Sequence, residues 1–291
     1  MQLKVDHVTV CGSNLDIMRR SLAAVGLPSD YGGPHANRAT HMALVGFEDG
    51  SYLELIAPFA PEAAASGMMA SWANFMRDDA GPSAWAVASA DIHADVERLS
   101  AAGIPALGPD SGGRTRADGT ALQWEIATLG TGPAGSLLPF MIQDKTSRAL
   151  RVQPSAALKG SAISGVAAVV LGVRDLEEAA AQFRKAYGWA EPLAEEYPET
   201  DVSLAHFQGT PVILAAAQST EENWLHSRVE RFGECPAAFL LSTPNLVNAV
   251  RRFPLQPEGS WFRRRLAWFD PAELGAMRLG VIEGATDSSM P

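Results

Sequence analysis

A glutamate stands in the middle of an apolar run. In "DGSYLELIAP", residues 49–58, the Asp49-Gly50 turn opens onto Tyr52, Leu53, Leu55 and Ile56, a strand pattern interrupted by Glu54. Burying a lone carboxylate costs several kcal/mol unless it is paired, protonated or bound to a metal. Glu54 therefore predicts a partner. Arg114 and Arg116, two residues apart, share a face if extended, and either could clamp a carboxylate; a solvated loop is the plainer reading. Cys11 has no histidine placed by sequence to activate it and reads as packing. The glycines of "GPDSGGR" are not followed by an amphipathic helix whose N-terminus could hold a phosphate.

The elements that must position Glu54 emerge as a repeat. "VDHVTVCGSNLD", residues 5–16, is a strand followed by a helix start, with Ser13 or Asn14 as cap and Leu15, Met18, Leu22 and Val25 on one face. "VAAVVLGVRDLE", residues 166–177, repeats it, with Val5 on Val166 and Val8 on Val169. A second type of unit follows each: a strand, an Asp91 or Asn245 cap, a short helix, then a strand with Trp124 or Trp268 at its centre. The expected architecture is α+β, four β-α-β-β-β modules at about 1–58, 82–144, 162–217 and 235–284. One such module cannot bury its own sheet face, so two pair into a curved, half-open barrel around a cleft. That predicts a first domain over 1–145, a linker over 146–161 and a second domain over 162–291. The Ala/Met/Trp-rich segment 59–81 predicts a short helix around Trp72, Phe75 and Met76 that covers an edge or closes over the cleft. Trp85, Trp189, Trp261 and Trp268 read as core, whereas Trp124 is the best candidate for a ring facing a ligand.

The combination of "VDHVTV", the loop "GGPHANRATHMAL", "DGSYLELIAP" and "GGRTRADGTALQWEIA" resembles the vicinal oxygen chelate superfamily, and its glyoxalase-like group in particular. The resemblance covers residues 3–145, and the second half looks like a degenerate copy. It implies a divalent metal in the cleft, held by one residue from the first strand and one from the fourth strand of each paired module. Those positions carry His7 and Glu54 in the first module, a donor set suited to Zn, Ni, Mn or Fe. In the other modules the matching positions fall near Ala84, Met141, Ala168, Leu214, Ala238 and Gly280, which are not ligands. Candidates to complete a half site are Gln143, two residues beyond Met141; His41, if it shares a face with Glu54; and His35, if its loop swings over the cleft mouth. Arg116 and Trp124 complete the expected substrate contacts. A metal-free His7–Glu54 hydrogen bond is equally open, since it relieves the burial cost of both groups; Asp6, adjacent to His7, would point the other way in a regular strand.

The resemblance implies a metal-dependent isomerase, lyase or dioxygenase acting on a small oxygenated molecule, with Glu54 as catalytic residue; the alternative is a metal-free small-molecule binding protein. A ring-cleaving dioxygenase needs a second histidine that the sequence does not place. A formal charge of −10 over 291 residues argues against nucleic acid. Two cysteines, no apolar run long enough to span a bilayer and no signal-peptide layout predict a cytoplasmic protein. A homodimer is open, with the second half as packing platform or interface.

Overall fold

Four short side chains start the four main helices in the same way. Asn14, Asp91, Asp175 and Asn245 each accept a hydrogen bond from the backbone amide three residues on, at Ile17, Ala94, Glu178 and Asn248. Each cap satisfies a first-turn amide, worth about 1 kcal/mol, and fixes where the chain leaves the strand before it. In the computed structural model, which describes residues 3–35, 38–59, 67–116, 118–221, 223–275 and 277–284, these four capped units build two sheets of eight strands each.

The first sheet contains β1 (Val5–Cys11), β2 (Asp30–Pro34), β3 (Thr40–Gly46), β4 (Tyr52–Pro58), β5 (Gly81–Ala88), β6 (Ala106–Thr115), β7 (Ala121–Leu129) and β8 (Phe140–Asp144), with α1 (Leu15–Ala24), α2 (Ala73–Arg77) and α3 (Ile92–Ala101) along the way. Its strand order is β2-β3-β4-β1-β5-β8-β7-β6. The first strands of the two modules, β1 and β5, meet antiparallel at the centre, and each has its own module's last strand beside it in parallel. After α4 (Arg148–Arg151), the second sheet repeats the plan with β9 (Gly165–Gly172), α5 (Leu176–Tyr187), β10 (Leu193–Tyr197), β11 (Val202–His206), β12 (Val212–Ala217), α6 (Trp224–Phe232), β13 (Cys235–Thr243), α7 (Leu246–Arg252), β14 (Leu255–Trp261), β15 (Arg264–Phe269), α8 (Pro271–Leu274) and β16 (Leu279–Glu283). The order is β10-β11-β12-β9-β13-β16-β15-β14, strand for strand the same. The second strands of the first and third modules, β2 and β10, are short and half-exposed, so no apolar alternation marks them in the sequence.

Alternation along each strand gives every sheet two faces. Val8, Val10, Leu53 and Leu55 point backward onto Leu15 and Leu22 of α1, in a core that also holds Val169, Leu171, Phe183 and Leu214 from the second half. The backs of both sheets and their helices therefore share one apolar interior, and the front faces are left to form two separate clefts. In segment 59–81 the described part forms a 3₁₀ turn over Gly67–Trp72 followed by α2. It lies against the first cleft, as its composition predicts. Among the described residues no helix is long and apolar enough to cross a membrane.

Arginine and lysine side chains bridge the two halves. Arg228 of α6 donates to the carbonyls of Ala80 (2.6 Å) and Pro82 in the first sheet and of Pro236 (2.8 Å) in the second. Removing it leaves three carbonyls without their donor. Arg228→Met is expected to lower unfolding stability by about 2–4 kcal/mol, measured as a shift of the urea midpoint without a change in the shape of the transition.

Candidate active site

The cleft of the first sheet is organised by an irregularity in β1. Against β5 the register jumps between Val5, opposite Val87, and His7, opposite Ala86. The extra residue is a β-bulge. Val5 and Val8 consequently both lie in the rear core, and Asp6 and His7 both turn away from it. This overturns the expectation that Asp6 points away from His7: its Oδ1 is 2.7 Å from His7 Nδ1. Parallel pairing with β4 then sets Tyr52 opposite His7 and Glu54 opposite Thr9. The Tyr52 ring stacks on the imidazole at 4.6 Å, and Phe140 meets it edge-on at 5.3 Å.

Behind His7 lies a buried charge cluster supplied by the segment that reads as a linker. Arg151 of α4, only 5% exposed, donates to both oxygens of Asp6 (3.0 and 2.8 Å), to both oxygens of Asp144 (2.6 and 2.9 Å) and to the Tyr52 hydroxyl (2.7 Å). Arg148 adds a hydrogen bond to Asp6 and another to the Gly50 carbonyl. Burial pushes the Asp6 carboxyl up, but the His7 hydrogen bond and the His7 and Arg151 charges outweigh it and hold its pKa far below the usual carboxylate range. Asp6 is therefore ionised and can only accept, so Nδ1 of His7 carries a proton.

Glu54 is 7% exposed, and its Oε2 lies 3.6 Å from His7 Nε2. Its other oxygen lies 3.8 Å from Nε2 of His35, whose Nδ1 is tied to the Thr40 hydroxyl at 2.8 Å. Both separations exceed a hydrogen bond, so each nitrogen faces the carboxylate across a gap. Burial opposes ionisation of Glu54, but His35, His7 and Arg114 together lower its pKa below the ordinary value. The hydroxyl of Thr9, beside Glu54 across the β1–β4 pair, is buried without a partner among the described residues. His7, His35, Tyr52, Glu54 and Arg114, with their apolar walls, line a cavity of ≈ 70 Å³.

Of the residues expected in the site, His7, Glu54, His35 and Trp124 line this cavity. Trp124 lies across Gly112, where a Cβ would collide with the indole. His41 does not contribute. Leu44 is the residue opposite Glu54, so His41, three residues away, falls on the other face and stacks on Phe59 at 4.4 Å. Gln143 is also displaced. Met141, from which it was counted, belongs to the rear core. Gln143 accepts from the Ile92 amide (3.1 Å) and donates to the Ala90 carbonyl (2.7 Å) at the start of α3. The residue that matches Glu54 in the second module is Phe140, the partner of Ala86, and in the third it is Ile213, the partner of Val170. Arg116 bends to the Leu150 carbonyl at the surface. Arg114, for which a solvated loop was the plainer reading, instead lines the cavity and donates to the carbonyls of Gly32 and Arg151. Asp6, Tyr52, Arg148 and Arg151 carried no sequence signal as site residues. Only the pair Asp6-His7 hinted at a carboxylate–imidazole unit, and the bulge that makes it work is invisible in composition.

The donor chemistry of His7 Nε2 and Glu54 Oε2 fits a divalent cation between them, with Asp6 behind the imidazole as an orienting carboxylate. Among the described residues, no group of three or more His, Cys, Asp or Glu side chains is spaced to hold one. His7 and Glu54 thus remain a two-residue donor set that a substrate or water oxygens would have to complete.

Two curled eight-stranded sheets of paired β-α-β-β-β modules, with a histidine on the first strand and a glutamate on the fourth, define a vicinal oxygen chelate fold. The chain belongs to the glyoxalase-like domain family, whose model matches residues 5–187 and so includes the connection that carries Arg148 and Arg151. A hypothetical protein from Staphylococcus aureus superposes over 97% of this chain and 100% of its own, with TM-score 0.63 and 14% identity. A mutant of 4-hydroxymandelate synthase from Streptomyces coelicolor covers 99% of this chain and 94% of its own, with TM-score 0.62 and 12% identity. Methylmalonyl-CoA epimerase from Mycobacterium tuberculosis matches 47% of this chain and 96% of its own, at 15% identity and TM-score 0.37. No curated protein sequence matches.

The depressed Asp6 pKa makes stability depend on pH with a definite sign. The contribution of ionised Asp6 is present above its unfolded pKa of about 4 and is lost as pH falls toward the lower folded value. Wild type is therefore expected to exceed Asp6→Asn in stability by a gap that is widest above about pH 5 and narrows steadily toward pH 2. Urea denaturation across that range measures the gap; a constant difference would contradict the charge assignment.

Proposed function

We propose that the first cleft is the active site of a divalent-metal-dependent enzyme of the glyoxalase type, acting on a small oxygenated molecule. The observation that carries this reading is the Asp6–His7–Glu54 line. With Nδ1–H given to Asp6, His7 turns its Nε2 toward the Glu54 carboxylate 3.6 Å away, beyond hydrogen-bond distance. Two electron-rich groups so placed repel each other unless a cation or a proton lies between them.

His7 and Glu54 would hold the metal, which when bound supplies Lewis acidity to a substrate carbonyl or hydroxyl oxygen. The chain's own residues do the rest. Asp6 keeps His7 in one tautomer and orientation. The Glu54 oxygen facing His35 is placed to take a proton from the carbon alpha to a carbonyl. As that C–H bond breaks, its electron pair would form a double bond to the carbonyl carbon while the C=O π pair moves onto oxygen, and return of the proton to a neighbouring atom completes an isomerisation. The Arg114 guanidinium at the cavity wall favours the negative charge that develops. Trp72, Phe140 and Met42 exclude water. The two buried free thiols, Cys11 and Cys235, suit a reducing, cytoplasmic compartment.

A second reading rests on the absence of a three-residue ligand group among the described residues. In it a proton alone lies between His7 and Glu54, and the cleft is a metal-free binding site. Metal analysis of protein purified without chelator separates the two. The enzyme reading expects stoichiometric Zn, Ni, Mn or Fe in wild type, lost in His7→Ala and Glu54→Gln, and bound about 10–100-fold more weakly in Asp6→Asn. Folded wild type that carries no metal and cannot be loaded with any of the four overturns it in favour of the second.

A further inference from the structure

The second sheet has a cleft of its own, and its contents are the reverse of the first. The bulge of β1 recurs in β9, where the register against β13 jumps between Ala168, opposite Leu240, and Val166, opposite Leu241. Val166 and Val169 both enter the rear core, so Ala167 and Ala168 take the places of Asp6 and His7, and Ile213 takes that of Glu54. The scaffold for an acid–base site is preserved without Asp6, His7 or Glu54, and Arg278 is the one charged side chain among the described residues that line the cavity. The cavity on this side is ≈ 250 Å³. Val170, Ala215 and Ala238 contribute to its lining together with the rings of Tyr197, Trp261 and Trp268. None of the described residues around it is His, Cys, Asp or Glu.

Protein interiors are close-packed, with few voids larger than a water molecule, and unfilled apolar volume is destabilising in proportion to its size. A degenerate copy serving only as a packing platform would have closed this space with larger side chains at Ala215 and Ala238. The rings expected from the sequence to be core, Trp261 and Trp268, instead wall the cavity, 5.5 Å apart and crossed at 65°. Gln256 and Arg278 also line the cavity, and each side chain can donate a hydrogen bond to an acceptor oxygen on an occupant. A cavity of about 150 Å³ already takes a benzene ring.

We infer that the second cleft is a ligand site, distinct from the His7–Glu54 cleft, for a small, flat, mostly apolar molecule of one or two fused rings that carries a hydrogen-bond acceptor. It needs no metal and operates whether or not the first cleft binds one.

The test uses the full chain and three probes: coumarin and indole-3-carbaldehyde, which have a carbonyl acceptor, and naphthalene, which has none. Titrations are followed by the ¹⁵N-indole NMR signals of the tryptophans, with assignment of Trp268 by its Phe variant. Saturable binding of at least one carbonyl probe, with a shift of the Trp268 signal, is expected. Ala238→Phe and, separately, Ala215→Leu should weaken it at least tenfold, whereas His7→Ala should leave it unchanged. Naphthalene, which has no acceptor, should bind at least tenfold more weakly than the tighter of the two carbonyl probes. Variants are first checked for wild-type thermal unfolding, and two cavity-filling sites guard against one that fails to fold. No saturable binding by any probe, or binding that survives both fillings or is lost in His7→Ala, overturns the inference.

Discussion

The ionised carboxylate of Asp6 is the constraint on which the first cleft depends. An unpaired carboxylate at that depth would be prohibitively costly. Here it accepts from His7, Arg148 and Arg151, and Arg151 is in turn shared with Asp144 and Tyr52. This network fixes the tautomer of His7, the stacking of Tyr52 on it and hence the direction in which Nε2 faces Glu54. The site's chemistry is set by a residue that stands behind it, on the side away from Glu54.

The two halves show what a fold retains when chemistry is withdrawn. Strand order, parallel and antiparallel pairing, helix caps and the bulge in the first strand are all kept in the second sheet. These are backbone properties, held by hydrogen bonds and turn residues and indifferent to what the front-facing side chains carry. The front positions are free to change, and they have moved from Asp, His and Glu to Ala, Ala and Ile.

The same distinction explains what was legible in the sequence. Helix caps and apolar spacing mark local structure, so Asn14, Asp91 and Asn245 announce their helices, and the fourfold repeat follows. Glu54 was legible because a charge in an apolar strand contradicts its surroundings. His41 and Gln143 were misplaced because facing depends on register, and counting through a hairpin or from a wrongly faced neighbour inverts the answer. Asp6 was misread for the same reason, through a single bulged residue. Arg148 and Arg151 could not be found at all: in "KTSRALRVQ" they have the composition of solvated linker, and only the path of the chain brings them under β1.

That path has a consequence for where the molecule can be divided. The connection between the module pairs is itself a component of the first pair's candidate site, through α4 and its two arginines. A chain severed there would keep His7 and Glu54 but strand Asp6 as a buried anion with its guanidinium partners removed. The first sheet is therefore complete only with the connection that follows it, since the charge balance of its cleft reaches past β8 to Arg148 and Arg151.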